Sequence, residues 1–192
     1  MQPQTVTNLT ATHSGRELYY KCTMSIQLTI FTIGHSIHAI ETFIDMLKNN
    51  RVTQLIDIRT VPRSRHNPQY EQATLEQSLP AAGIDYRYMK DLGGLRPKAK
   101  NSSSEGWRNQ SFRNYADYMQ TPVFAAAIDE LIATAQKAPT AIMCAEAVPW
   151  RCHRSLVGDA LLVRGVSVQD IMSLASTKAH TMTHFAVVAG TT

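Results

Sequence analysis

Thr140 to Gly165 reads TAIMCAEAVPWRCHRSLVGDALLVRG, and its reading decides the fold. Its first residues form a short apolar run of strand length, too short for a helix. A loop with cysteines, Glu146 and Trp150 follows, and a helix is expected from Cys152-His153-Arg154 onward. Ionisable and nucleophilic side chains therefore gather where a strand hands over to a helix N-terminus, the place where α/β proteins hold ligands.

Outward from that stretch the same alternation repeats. Residues 26–33, IQLTIFTI, run apolar in β-favouring residues and end in Gly34-His35-Ser36. Ile40, Phe43, Ile44 and Leu47 then mark one helix face, with Asn49-Asn50 as its stop. Residues 52–58, VTQLIDI, predict a second strand that delivers Asp57 and Arg59 at its end, followed by a loop over 60–67. A helix is predicted over 70–82, with Pro80 disturbing its last turn and Gly83 stopping it. Residues 84–89 alternate as a third strand. The stretch 91–107 reads as a basic loop, and 112–119 as a short helix. Thr121-Pro122 supplies an N-cap and a first-turn proline for a helix to about Lys137. A last strand is expected at 166–172, with residues 185–189 as an added edge strand.

Strands alternating with helices predict one three-layer α/β domain with a mostly parallel sheet, over residues 24–192. Residues 1–23 are polar and aperiodic and are expected to be a disordered or loosely attached tail, with Met24 an alternative start. The length suits one domain, and 44% hydrophobic residues against 18% charged suit a sizeable core. Nineteen Lys and Arg against fifteen Asp and Glu leave a net charge of +4, compatible with an anionic small molecule or nucleic acid as partner. Three cysteines, an odd number, argue against a disulfide framework and for a reducing, cytoplasmic setting. No stretch has the apolar length of a membrane span, so no membrane is expected among the partners. The oligomeric state is not legible.

Several short motifs occur in one order: GHS after the first strand, DIRTVPRSR after the second, GIDY into LGG, then CAE and CHR. With His180 placed four residues before His184-Phe185-Ala186, they resemble the family catalogued as domain of unknown function 488, over roughly residues 29–188. The resemblance implies a single α/β domain. It implies no mechanism, since that family is defined without one.

The polar residues divide into three groups. Cys152 sits beside Arg151, His153 and Arg154 at a helix start, where dipole and cations favour a thiolate; it is the first candidate nucleophile. Cys144 is the second, read against a buried core thiol. Its six-residue separation from Arg151 is longer than the spacing of cysteine phosphatases, and the loop lacks the glycines that let a backbone wrap a phosphate. His35, Glu146 and His153 are candidates for proton transfer. Arg59, Arg63, Arg65 and Arg154, with Ser36, are the expected anion-binding set, because guanidinium forks grip oxyanions bidentately. Asp57 and His180 are expected in support, Asp57 through an ion pair with Arg59 or Arg154. Cys144, Glu146, Cys152, His153 and His180 are ligand types, but without CxxC, HExxH or a comparable pair no metal is assigned. Without a P-loop or GxGxxG, no cofactor is assigned either. The expected function is that of an enzyme acting on a phosphorylated or otherwise anionic substrate, or else of a non-catalytic module binding the same class of ligand.

Overall fold

In the computed structural model, which describes residues 27–102, 104, 106–186 and 188, six strands form one sheet. They are β1 (Thr29–Gly34), β2 (Gln54–Asp57), β3 (Asp85–Tyr88), β4 (Thr140–Cys144), β5 (Ser167–Ser173) and β6 (Ser176–Ala179). The five α-helices are α1 (Ile40–Asn49), α2 (Gln72–Ala81), α3 (Gln110–Tyr118), α4 (Pro122–Ala135) and α5 (Arg154–Val163). Strand order is β3-β2-β4-β1-β5-β6, parallel throughout except for β6, which returns antiparallel on β5. The α/β class and mostly parallel sheet expected from the alternation are what the chain adopts.

Two separate cores make the layers. Phe43, Met46 and Leu47 of α1, with Leu75 and Leu79 of α2, pack on Ile33, Leu55, Ala141, Met143 and Ile171. On the other face Tyr115 of α3, Ile128 and Leu131 of α4, and Val157 and Leu161 of α5 pack on Ile30, Ile56, Ile142 and Val168. Successive strand residues such as Leu55-Ile56 and Ala141-Ile142 thus serve opposite layers, as the strand period requires. All five residues of β4 are buried, which is why that run is continuously apolar.

Local chemistry sets the helix ends. Thr121 Oγ1 accepts from Phe124 N at 3.3 Å, with Pro122 in the first turn. Gly83 and Gly165, at φ 79° and 75°, follow α2 and α5 in the left-handed region. α2 continues through Pro80 to Ala81, so the proline falls in its last turn. The edge strand lies elsewhere than expected. β6 occupies Ser176–Ala179, whereas residues 185, 186 and 188 are not strand, and residues 187 and 189 lie outside the described set. An outer strand with only one neighbour needs no apolar alternation, and STKA shows none. The expected tail over 1–23 also lies outside the described residues. Among the described residues no helix is long and apolar enough to cross a membrane.

Candidate functional site

Three chain segments leaving the C-terminal ends of β2, β3 and β4 enclose a cavity of about 360 Å³. Arg59 to Val61 and Arg63 come from the loop after β2. Gly94, Leu95, Ser111 and Phe112 come from the long segment after β3, and Cys144 to Glu146 with Arg151 to His153 follow β4. Gly34 holds the loop after β4 close to β1. An added Cβ there would meet Glu146 O at 1.8 Å, so only glycine lets the strands and loop approach this closely. The backbone then zips across: His35 N donates to Cys144 O at 3.0 Å and Ser36 N to Ala145 O at 2.9 Å.

At the cavity floor, Cys144, Cys152 and His153 present their ligating atoms within 4.8 Å of one another. The two cysteines are 7% and 3% exposed. His153 Nε2 lies 3.0 Å from Ile58 O. A carbonyl only accepts, so Nε2 carries the proton, and in the neutral ring the Nδ1 lone pair points away from Ile58. That Nδ1 is 3.8 Å from Cys144 Sγ and 3.6 Å from Cys152 Sγ. Hydrogen bonding from the Cys152 thiol holds the Cys144 thiol well below its usual range, against burial; His153 and the Glu146 backbone act in the same direction. The same contact, reinforced by burial, pushes the Cys152 thiol up. The thiolate is therefore favoured at Cys144, the reverse of the preference expected from sequence. Cys152 precedes the helix in extended backbone, after a 3-10 turn at Pro149–Arg151, and its sulfur receives the Arg154 N–H at 3.5 Å.

The arginines divide. Arg154, expected to grip an anion, is 1% exposed and donates to Thr32 Oγ1, Glu146 O and Ala147 O. It shapes the loop after β4, because a buried guanidinium must find acceptors and the free carbonyls of that loop supply them. Arg59 borders the cavity but is committed: Nε donates to Asp57 at 2.9 Å and Nη2 to Tyr70 O at 2.8 Å. Asp57 also accepts from Tyr86 Oη at 2.9 Å, so it and Arg59 form a closed buried ion pair. Arg63 is exposed and borders the cavity; Arg65 is exposed and does not. Ser36 and His35 do not border it either. His35 is buried with its ring stacked on Tyr70 at 4.1 Å, and its Nδ1 faces Ser36 O at 2.9 Å. Burial lowers its pKa, so it is a neutral packing residue on the α1 side of the sheet rather than a base at the cavity. Glu146 is exposed and borders the cavity.

Two features, Arg151 and Gly94, were missed from sequence, and a third, His180, was expected in support but without its partners. Arg151 is an exposed cavity cation. Gly94 lies against the imidazole, where an added Cβ would be 2.4 Å from His153 Nδ1; the LGG motif was the available signal. Third, His180 joins two aspartates: Nε2 faces Asp159 at 3.1 Å and Nδ1 faces Asp170 at 3.0 Å. Asp170 accepts from Thr32 Oγ1, which in turn accepts from Arg154 Nε at 3.3 Å. A continuous polar chain thus runs from the C-terminal residues of the sheet to the loop that bears the cavity thiols.

The model of the family described as Domain of unknown function DUF488 matches residues 39–161, more than half of the chain. The match takes in β2 to β4, most of α5 and the whole cavity lining; the GHS motif and His180 lie outside it. No curated protein and no solved structure matches.

Proposed function

We propose that this chain, which belongs to the family described as Domain of unknown function DUF488, is an enzyme that acts on an anionic substrate. One observation carries the proposal. A cluster of two buried thiols and a half-buried imidazole borders a cavity whose other lining includes exposed Arg63 and Arg151. Exposed cations without a side-chain partner among the described residues, beside a reactive cluster, suit a phosphate or carboxylate, and guanidinium is the better match for either. Leu95 and Phe112 add apolar lining, which suits a substrate with an organic body attached to its charge. In this reading Cys144, Cys152 and His153 are the reacting centre, Arg63 and Arg151 bind the anion, and Glu146 exchanges protons. Two adjacent free thiols are best kept by a reducing compartment, which supports a cytoplasmic setting.

Iodoacetamide alkylation of the reduced, metal-free protein tests the anion site. Inorganic phosphate and pyrophosphate should slow labelling of Cys144. Each charged hydrogen bond is worth about 1.5–3 kcal/mol, so Arg63→Ala or Arg151→Ala should raise the protecting concentration about tenfold or more. Unchanged labelling at saturating pyrophosphate sinks the proposal. Single-stranded oligonucleotide in place of pyrophosphate decides between carriers of the anion: protection that collapses with added salt marks nucleic acid.

A further inference from the structure

We infer that Cys144, Cys152 and His153 form a binding site for a zinc-class divalent ion with one coordination position left to the cavity. The inference deepens the functional reading above and rests on it for the cavity as the reactive site.

The spacing is the first argument. A tetrahedral ion with bonds of about 2.3 Å to sulfur and about 2.0 Å to nitrogen holds sulfur and nitrogen about 3.5 Å apart, and two sulfurs about 3.8 Å apart. His153 Nδ1 stands 3.6 Å from Cys152 Sγ and 3.8 Å from Cys144 Sγ, and all three atoms lie within 4.8 Å of one another. They surround a point at bonding distance with little adjustment.

The outer partners are the second argument. A ligating histidine characteristically donates its other ring nitrogen to a carbonyl or carboxylate, which fixes the tautomer and aims the lone pair. Ile58 O does this for His153 Nε2 at 3.0 Å. Coordinated thiolates need N–H donors on their remaining lone pairs. Arg154 N–H donates to Cys152 Sγ at 3.5 Å. Cys152 and His153 thus already have supporting contacts, each from a different residue.

The donor set is the third. Two thiolates and a neutral imidazole favour a borderline-soft ion over magnesium or calcium, and their charge cancels that of a divalent ion in a buried place. Three protein ligands rather than four is the composition of a catalytic zinc site, whose last position holds water or substrate. All three residues border the cavity, so that position opens on the space shared with Glu146, Arg63 and Arg151. A zinc-bound water would be activated near neutral pH: its oxygen would bond to the phosphoryl or acyl centre of an anionic substrate, its proton would pass to Glu146, and the bond to the leaving group would break with that proton delivered to the leaving group, which makes the reaction class hydrolysis.

The test is equilibrium binding of Zn(II), and of Co(II) as a spectroscopic probe, to the full chain under an oxygen-free phosphine reductant. One equivalent should bind, and Co(II) should show thiolate charge-transfer absorption with the intense visible bands of a tetrahedral centre. Cys144→Ser, Cys152→Ser and His153→Ala should each weaken Zn(II) by more than the ~10–100-fold that loss of an outer partner costs. Circular dichroism checks that each variant is folded. Where Cys144→Ser does not fold, Cys152→Ser and His153→Ala decide. Folded, reduced wild type that takes up no Zn(II) overturns the inference, as do variants that bind like wild type. Arg63→Ala and Arg151→Ala should leave Zn(II) affinity unchanged while losing anion protection. Metal uptake without anion protection would refute the functional proposal alone; protection without uptake would refute the metal alone.

Discussion

The buried His180 between Asp159 and Asp170 makes stability depend on pH in a defined window. Its two ring nitrogens face carboxylate oxygens at 3.1 Å and 3.0 Å. Burial lowers its pKa, but the hydrogen bonds and charges of the two aspartates outweigh it and push the value up to about 9 from an ordinary 6.5. Because the folded pKa is raised, the stabilisation is complete below the unfolded value and is lost as pH rises through the folded one. At about 1.4 kcal/mol per unit, a rise from 6.5 to about 9 corresponds to roughly 3 kcal/mol. The His180 and Asp170 side chains are only 6% and 8% exposed, so little solvent screening reduces this. Above that window a neutral ring can donate to only one aspartate and turns its lone pair toward the other. Urea unfolding of wild type and His180→Asn, taken every half unit from pH 5.5 to 9.5, isolates the effect by difference. The wild-type advantage should be greatest at the acid end and shrink by roughly 3 kcal/mol toward the alkaline end, or about 6–12 °C in Tm. The charges facing the ring are Asp159 from α5 and Asp170 from β5, with Arg154 joined through Thr32. A difference that stays flat across the range, or grows with pH, would refute the assignment of a charged His180.

Other perturbations test the parts around it. Arg154→Met removes a buried donor from Glu146 O, Ala147 O and Thr32; residues 146 and 147 are exposed, so water can replace it there, while Thr32 is 1% exposed, and a loss of about 1–3 kcal/mol, that of one unsatisfied buried group, is expected in urea titration. Iodoacetamide should also reach the cavity thiols of that variant faster, because the loop between β4 and α5 loses its anchor. Gly94→Ala puts a methyl group on the His153 ring. It should cost about 1–3 kcal/mol and lower Zn(II) affinity toward that of His153→Ala, both readable on one purified sample.

The fold was legible because its signals are local. Strand runs, helix faces and the Thr121-Pro122 start each follow from neighbouring residues. β6 was not, since an outer strand of four residues with mostly exposed side chains has no pattern to betray it. The site was located by the strand-to-helix junction after β4, but its metal-ligand geometry was hidden by spacing. Cys144 closes the strand, Cys152 follows a 3-10 turn and His153 caps α5, so ligands eight and nine residues beyond Cys144 converge without any close-pair motif. Motif rules capture ligands on one turn or one helix face; here the loop supplies the curvature.

Arginines were misread for a different reason. Sequence shows their density after β2, and density suggests a clamp, but burial decides what each guanidinium does. Arg59 lies at the sheet end beside Asp57 and has lost access to solvent, so its donors must be satisfied within the protein. Arg154 meets the same constraint from α5 and satisfies it with loop carbonyls rather than an anion. Only cations that remain exposed can exchange water for ligand, which leaves Arg63 and Arg151 at the cavity. The committed arginines still matter to the chemistry, because Arg154 ties the loop carrying Glu146 to Thr32 and thence to Asp170 and His180. Residues outside the matched family span are therefore tied through Arg154 to the loop that borders a cavity whose lining lies wholly within it.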